Sequence, residues 1–189
     1  MTPTSVPSKA SPKENNDSSV EDASVRVSPL PKIWIGFILA ALLVLYQLFS
    51  DFLPAMFRTR YGHPGGAYLI YLTAIAYWLF CVYRFHLVLE ETTHSQYPIA
   101  PKSAAAFYLV PVYNFYWIFK WPSELVKYMN HKGRVQMTNG WVLGILLLLS
   151  CFLNSINGSL CIAALFFIAL YIKKKLSIHL EVLERVMPH

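Results

Sequence analysis

His86, Glu90 and His94 recur every four residues, and Glu91-Thr92-Thr93-His94 reads Glu-x-x-His. On a helix such residues share one face, and two imidazoles with a carboxylate are donors that zinc or iron accepts. A carboxylate-bridged di-iron centre, however, draws Glu-x-x-His from two helices and adds further glutamates. This chain has no second copy, and Glu124 and His131 are the only additional donors nearby. The expectation is therefore a solvated helix end with i,i+4 Glu–His pairing, with no metal and no cofactor. If a metal were held, His86, Glu90 and His94 would be its candidate ligands. Cys81, Cys151 and Cys161 all lie inside apolar runs and none shows a C-x-x-C spacing, so they read as small packing residues. No catalytic or nucleotide-binding motif is present, which argues against an enzyme.

The elements that carry these residues are unusually apolar. Of 189 residues, 56% are hydrophobic and 14% charged, against about 45–50% and about 25% in ordinary soluble domains. That length suits one domain. A net charge of +6 could suggest nucleic acid, but the basic residues flank apolar runs and form no base-reading motif. No nucleic-acid partner is expected. Basic flanks are what orientation in a bilayer requires.

Residues 1–31 are rich in Ser and Pro with both charge signs mixed in, and read as a disordered tail. The remainder reads as an all-α, polytopic membrane domain over residues 32–175, followed by an amphipathic tail over 176–189. Four transmembrane helices are expected at about residues 33–50, 67–90, 139–154 and 158–174. The first uncharged run, Ile33 to Ser50, rises about 27 Å as a helix, close to a hydrocarbon core of about 30 Å. Within it, Gly36 and Ala40 make a small-x-x-x-small pair suited to close helix approach. The block from Trp141 to Ile172 would measure about 48 Å as one helix, too long for a single crossing. Asn154, Ser155, Asn157, Gly158 and Ser159 at its middle are turn formers, so it reads as two short helices and a tight turn.

Residues 103–121 decide the topology. Eight of the fifteen residues from Phe107 to Trp121 are aromatic, a composition that favours the headgroup level. Pro111 removes a helix hydrogen bond that lipid cannot replace, and Asn114 is polar. Pro111, Tyr113, Asn114, Tyr116, Trp117 and Trp121 therefore mark an interfacial or re-entrant segment. Beyond it, Pro122 reads as a helix start, with Glu124 pairing to Lys127. With four crossings, 14 of the 16 Lys and Arg fall on one side; if 103–121 also crosses, the partition becomes 10 to 6. The positive-inside rule favours the first arrangement, with both termini cytoplasmic.

Tyr97-Pro98-Ile99-Ala100-Pro101-Lys102, then Ala105-Ala106-Phe107, then Val110-Pro111-Val112-Tyr113-Asn114-Phe115-Tyr116-Trp117-Ile118-Phe119 resembles a pattern in small, uncharacterised bacterial inner-membrane proteins. There a Tyr-x-Ile-x-Pro-Gly-Lys-Ala start leads into Phe-x-x-(Ile/Val)-Pro-x-(Phe/Tyr)-Asn-x-Tyr-Trp, a polar helix and a closing transmembrane hairpin. The likeness covers roughly residues 68–175 and departs at Ser103, where the family tends to carry Gly or Lys nearby. It implies a multi-pass protein of the bacterial inner membrane and carries no activity. The leading functional expectation is a non-catalytic scaffold or accessory subunit whose partners are the lipid bilayer and another membrane protein or a second copy. The rival is a small oligomeric transporter or channel with its pathway near Pro111 and Asn114. The chain carries no charged residue at mid-bilayer, which weighs against a coupled transporter.

Overall fold

The computed structural model describes residues 28–52, 65–93, 97–131 and 135–186. Most of the expected tail, and the connection between the first two long helices, lie outside them. All regular structure among the described residues is helical: α1 (Trp34–Phe52), α2 (Gly65–Thr92), α3 (Pro101–Ala106), a 3-10 turn (Phe107–Leu109), α4 (Pro111–His131), α5 (Gly140–Ile156) and α6 (Gly158–Val186). Over Gly66–Thr92, α2 is the one described helix long and apolar enough to cross a membrane, whereas Trp34–Phe49 and Gly140–Ile156 are apolar but shorter.

Local chemistry sets the helix ends. Asn139 caps α5, its side chain accepting the Trp141 N–H at 3.1 Å. Asn157 alone forms the turn between α5 and α6. Its backbone is extended and its N–H closes α5 on the Leu153 carbonyl at 2.7 Å. Its side chain then accepts the Ser159 N–H at 2.9 Å and opens α6. The expected tight turn is what the chain forms here, but only α5 is short: α6 has 29 residues.

Three expectations need correction. Residues 103–121 are not one segment: α3 and the 3-10 turn end at Val110, whose φ of −91° and ψ of 106° leave the helical region. Pro111 then occupies the first position of α4, where its missing N–H is one that no helix would have used. Pro111 therefore starts a helix and breaks none. Second, α4 runs through Pro122 to His131, so Pro122 lies inside a helix instead of opening one. Third, α6 continues without interruption to Val186, so residues 176–186 are the last turns of that helix and not a separate tail.

Close approaches fix the packing. α1 packs on α2 and α6, α2 also packs on α6 and α3, and α5 lies between α4 and α6. A Cβ on Gly36 would run into the Phe166 ring, so α1 and α6 touch through the bare backbone that the small-residue spacing suggested. A Cβ on Gly140 would run into the Ser123 backbone, and one on Gly144 into the Phe119 ring. The pairs Ser123–Gly140 and Phe119–Gly144 step in opposite directions, which makes α4 and α5 antiparallel.

One end of the bundle gathers the start of α1, the end of α2, the start of α5 and the far half of α6. Ser28 donates to Glu91 from its N–H and its hydroxyl at 2.6 and 2.7 Å, and Arg84 donates to the Pro29 carbonyl at 2.6 Å. Tyr171 holds Thr138, and Lys175 donates to the Gln136 carbonyl at 2.8 Å. At the opposite end Asn157 and Ser159 meet Gln47 of α1.

The two ends differ in how they treat apolar side chains. Near the first, Phe85, Leu89, Trp121, Leu125, Met129, Ile172 and Leu176 form a buried core. Toward the second, Leu45, Leu48, Phe49, Leu69, Leu72, Leu149, Phe152, Ile156 and Leu160 are exposed.

Candidate functional site

The His–Glu face is not the solvated helix end expected. His86 is fully buried in the core, with its ring 5.6 Å from that of Trp121 and 5.3 Å from that of Tyr97. Neither ring nitrogen has a hydrogen-bond partner, so no Glu90–His86 pair forms. Packing won over solvation because α2 is covered at this level by α3 and by the Tyr97–Ala100 stretch. His94 lies outside the described residues, and among those described no group of three His, Cys, Asp or Glu is placed to hold a metal ion. Tyr97 is buried too, its hydroxyl without a partner, and burial pushes its pKa well above the ordinary phenol value. Among the cysteines, Cys81 and Cys161 pack inside while Cys151 is exposed on α5.

The aromatic motif divides into an inner and an outer set. Trp117 and Trp121 are interior: their indole N–H groups donate to the Ala104 carbonyl at 2.9 Å and to the Tyr108 hydroxyl at 2.5 Å. These two bonds tie α4 to α3 and the 3-10 turn, and Phe107 packs edge-on to Trp117 at 4.8 Å. Both indoles therefore serve as internal ties and not as surface anchors. Pro111, Tyr113 and Tyr116 are exposed, together with Leu109, Val110, Val112 and Phe115. Val112 is 86% exposed, the barest of these. The Asn114 side-chain oxygen is buried without a partner.

A basin that the sequence did not single out opens between α4 and the start of α5, with a volume of about 720 Å³. Its walls include Tyr116, Phe119 and Trp141, and its rim includes Lys120, Lys127 and Glu124. Glu124 accepts from Lys120 at 3.1 Å and from Lys127 at 3.5 Å. Partial burial alone would raise the Glu124 pKa, but the Lys120 hydrogen bond and the charges of both lysines outweigh it and hold the carboxyl below its usual range. The same contact pushes the Lys120 ammonium up. Only the Glu124–Lys127 spacing was legible beforehand; Tyr116 and Phe119 share α4 with the cations, whereas Trp141 comes from α5, about twenty residues away along the chain. A second groove of about 600 Å³ runs between α5 and α6, lined by Leu146, Leu149, Leu153 and Phe167.

The described residues thus define an all-α protein with one helix, α2, long and apolar enough to cross a membrane, and with no group of three metal-ligating side chains among them. No protein-family model, curated protein or solved structure matches the chain.

Proposed function

We propose that the chain is a non-catalytic, multi-pass protein of a bacterial inner membrane, acting as a scaffold or accessory subunit. It crosses four times, through α1, α2, α5 and α6, with both termini cytoplasmic, and the α3–α4 corner dips in from the cytoplasmic side. The observation that carries this reading is the two-ended character of the bundle. Large apolar side chains are bare on all four long helices at the Gln47–Asn157 end. A soluble monomer avoids a patch of that extent. Every described Lys and Arg lies toward the other end.

Lengths are compatible. α1 and α5, with 19 and 17 residues, rise about 28 and 25 Å, and thinning or snorkelling accommodates the shortfall. Lys173, Lys174 and Lys175 limit the immersed part of α6. Thr73 and Ser150 give their hydroxyls to backbone carbonyls one turn back, at 2.8 Å each, as lipid requires of a polar group. Continued along the antiparallel α4–α5 register, the first turn of α4 comes alongside the apolar lower half of α5. That supports immersion of its bare Leu109–Phe115 face.

Labelling tests the topology. In a background lacking the three native cysteines, single cysteines at Ala100 and Lys127 react with an impermeant maleimide from the cytoplasmic side, and one at Asn154 reacts from the other side. Opposite sidedness of Ala100 and Lys127 would make α4 a fifth crossing and sink this reading. A second reading, an oligomeric transporter or channel with its pathway near Pro111 and Asn114, has one observation in its favour: the unpartnered Asn114 oxygen, which a neighbouring copy or a polar path would satisfy.

A further inference from the structure

The basin between α4 and α5 combines features that seldom coincide on a protein surface. Aromatic side chains (Tyr116, Phe119, Trp141) and cationic ones (Lys120, Lys127) line it together. Two ammonium groups share one carboxylate, which leaves one positive charge uncompensated. Lys127 is 69% exposed and Lys120 42% exposed at the side chain, so both retain N–H donors for another anion. The first turn of α5 adds its partial positive charge to the same space. Trp141 and Tyr116 stand at the basin's edge and are themselves exposed. Below Trp141 on the same side of α5 stand Ile145 and Phe152, both exposed.

We propose that this basin is a binding site for one anionic phospholipid. The phosphodiester sits against Lys120 and Lys127, the glycerol backbone against Trp141 and Tyr116, and an acyl chain descends along Ile145 and Phe152. A soluble phosphate would use the cations but leave the apolar track unused, and a zwitterionic lipid would use the track but not the surplus charge. An anionic lipid matches both. Glu124 sets the geometry by holding the two ammonium groups on the same side of α4 without cancelling them. The inference rests on the membrane placement above and adds a specific lipid contact to it.

The experiment is native mass spectrometry of the full chain in mild detergent, titrated with phosphatidylglycerol and phosphatidylcholine of identical acyl chains. One phosphatidylglycerol binds in preference to phosphatidylcholine. Lys120→Gln with Lys127→Gln weakens that preference by roughly fivefold per lysine removed, while Lys102→Gln on α3 leaves it unchanged. Excess inorganic phosphate does not displace the lipid. Equal binding of the two lipids, an equal effect of Lys102→Gln, or displacement by phosphate would each overturn the site, the last two pointing to diffuse attraction and to a soluble anion.

Vesicle flotation of the same variants separates this failure from failure of the membrane reading. A chain that floats and resists carbonate but shows no lipid preference loses the basin alone, whereas one that does not float loses both. The two lysines are exposed, so their replacement leaves the fold intact. Reduced quenching of Trp141 by brominated phosphatidylglycerol in the double variant is the independent readout, and unchanged quenching counts against the site.

Discussion

Among single side chains, His86 departs furthest from its sequence reading. A buried imidazole with no hydrogen-bond partner on either nitrogen carries a desolvation cost of about 1–3 kcal/mol. His86→Leu should therefore raise the thermal midpoint in detergent, read by near-ultraviolet circular dichroism. A lowered midpoint would show that the imidazole has a stabilising ligand after all. Glu124 gives a pH prediction with a definite sign. Its carboxyl is held below the usual carboxylate range, so the unfolded chain takes up that proton more readily than the folded one. The Lys120–Glu124–Lys127 contact thus contributes fully above the ordinary carboxylate range and is lost as pH falls through the lowered value. The wild-type midpoint should exceed that of Glu124→Gln near neutrality, and the two should converge in acid. High salt should narrow the gap, because the lysines are exposed. A gap that persists in acid would refute the assignment.

At the scale of elements, two glycines set helix spacing by different means, and the difference is measurable. Beside Gly36 the obstacle is the ring of Phe166, a side chain that can be trimmed. Gly36→Ala should cost on the order of 1–3 kcal/mol, and adding Phe166→Leu should recover part of it. Beside Gly140 the obstacle is the Ser123 backbone, which no side-chain change removes. Gly140→Ala should therefore destabilise more than Gly36→Ala, with no rescue by Ser123→Ala. Equal losses, or rescue at Ser123, would mean that α5 does not rest on α4 as described.

For the whole molecule the question is which solvent surrounds the bare apolar end. Val112 is 86% exposed, so Val112→Asp removes almost no contact within the protein. In water such a change is worth within about 0.5 kcal/mol. At the centre of a bilayer an aspartate costs roughly 2.5–3.5 kcal/mol. The proposed immersion predicts a clear drop in the carbonate-resistant fraction for Val112→Asp and none for Asn130→Asp. Equal recovery of both would place the α3–α4 corner in water.

The sequence alone determined what depends on local pattern. Unbroken apolar runs gave α1 and the apolar part of α2, and the Asn157-Gly158 turn signal divided α5 from α6, because helix length and turn chemistry are properties of neighbouring residues. It misread Pro111 because a proline stops a preceding helix and starts a following one equally well, and only the Val110 backbone showed which applied. It missed the burial of His86, Trp117 and Trp121 because burial depends on what other elements cover. Here the cover is α3, the Tyr97–Ala100 stretch and the 3-10 turn, whose positions no periodicity encodes. The basin was invisible for the same reason: its cations come from one helix and its tryptophan from the start of the next. Tertiary packing of α5 against α4, through a glycine that lets two backbones meet, was needed to bring them together.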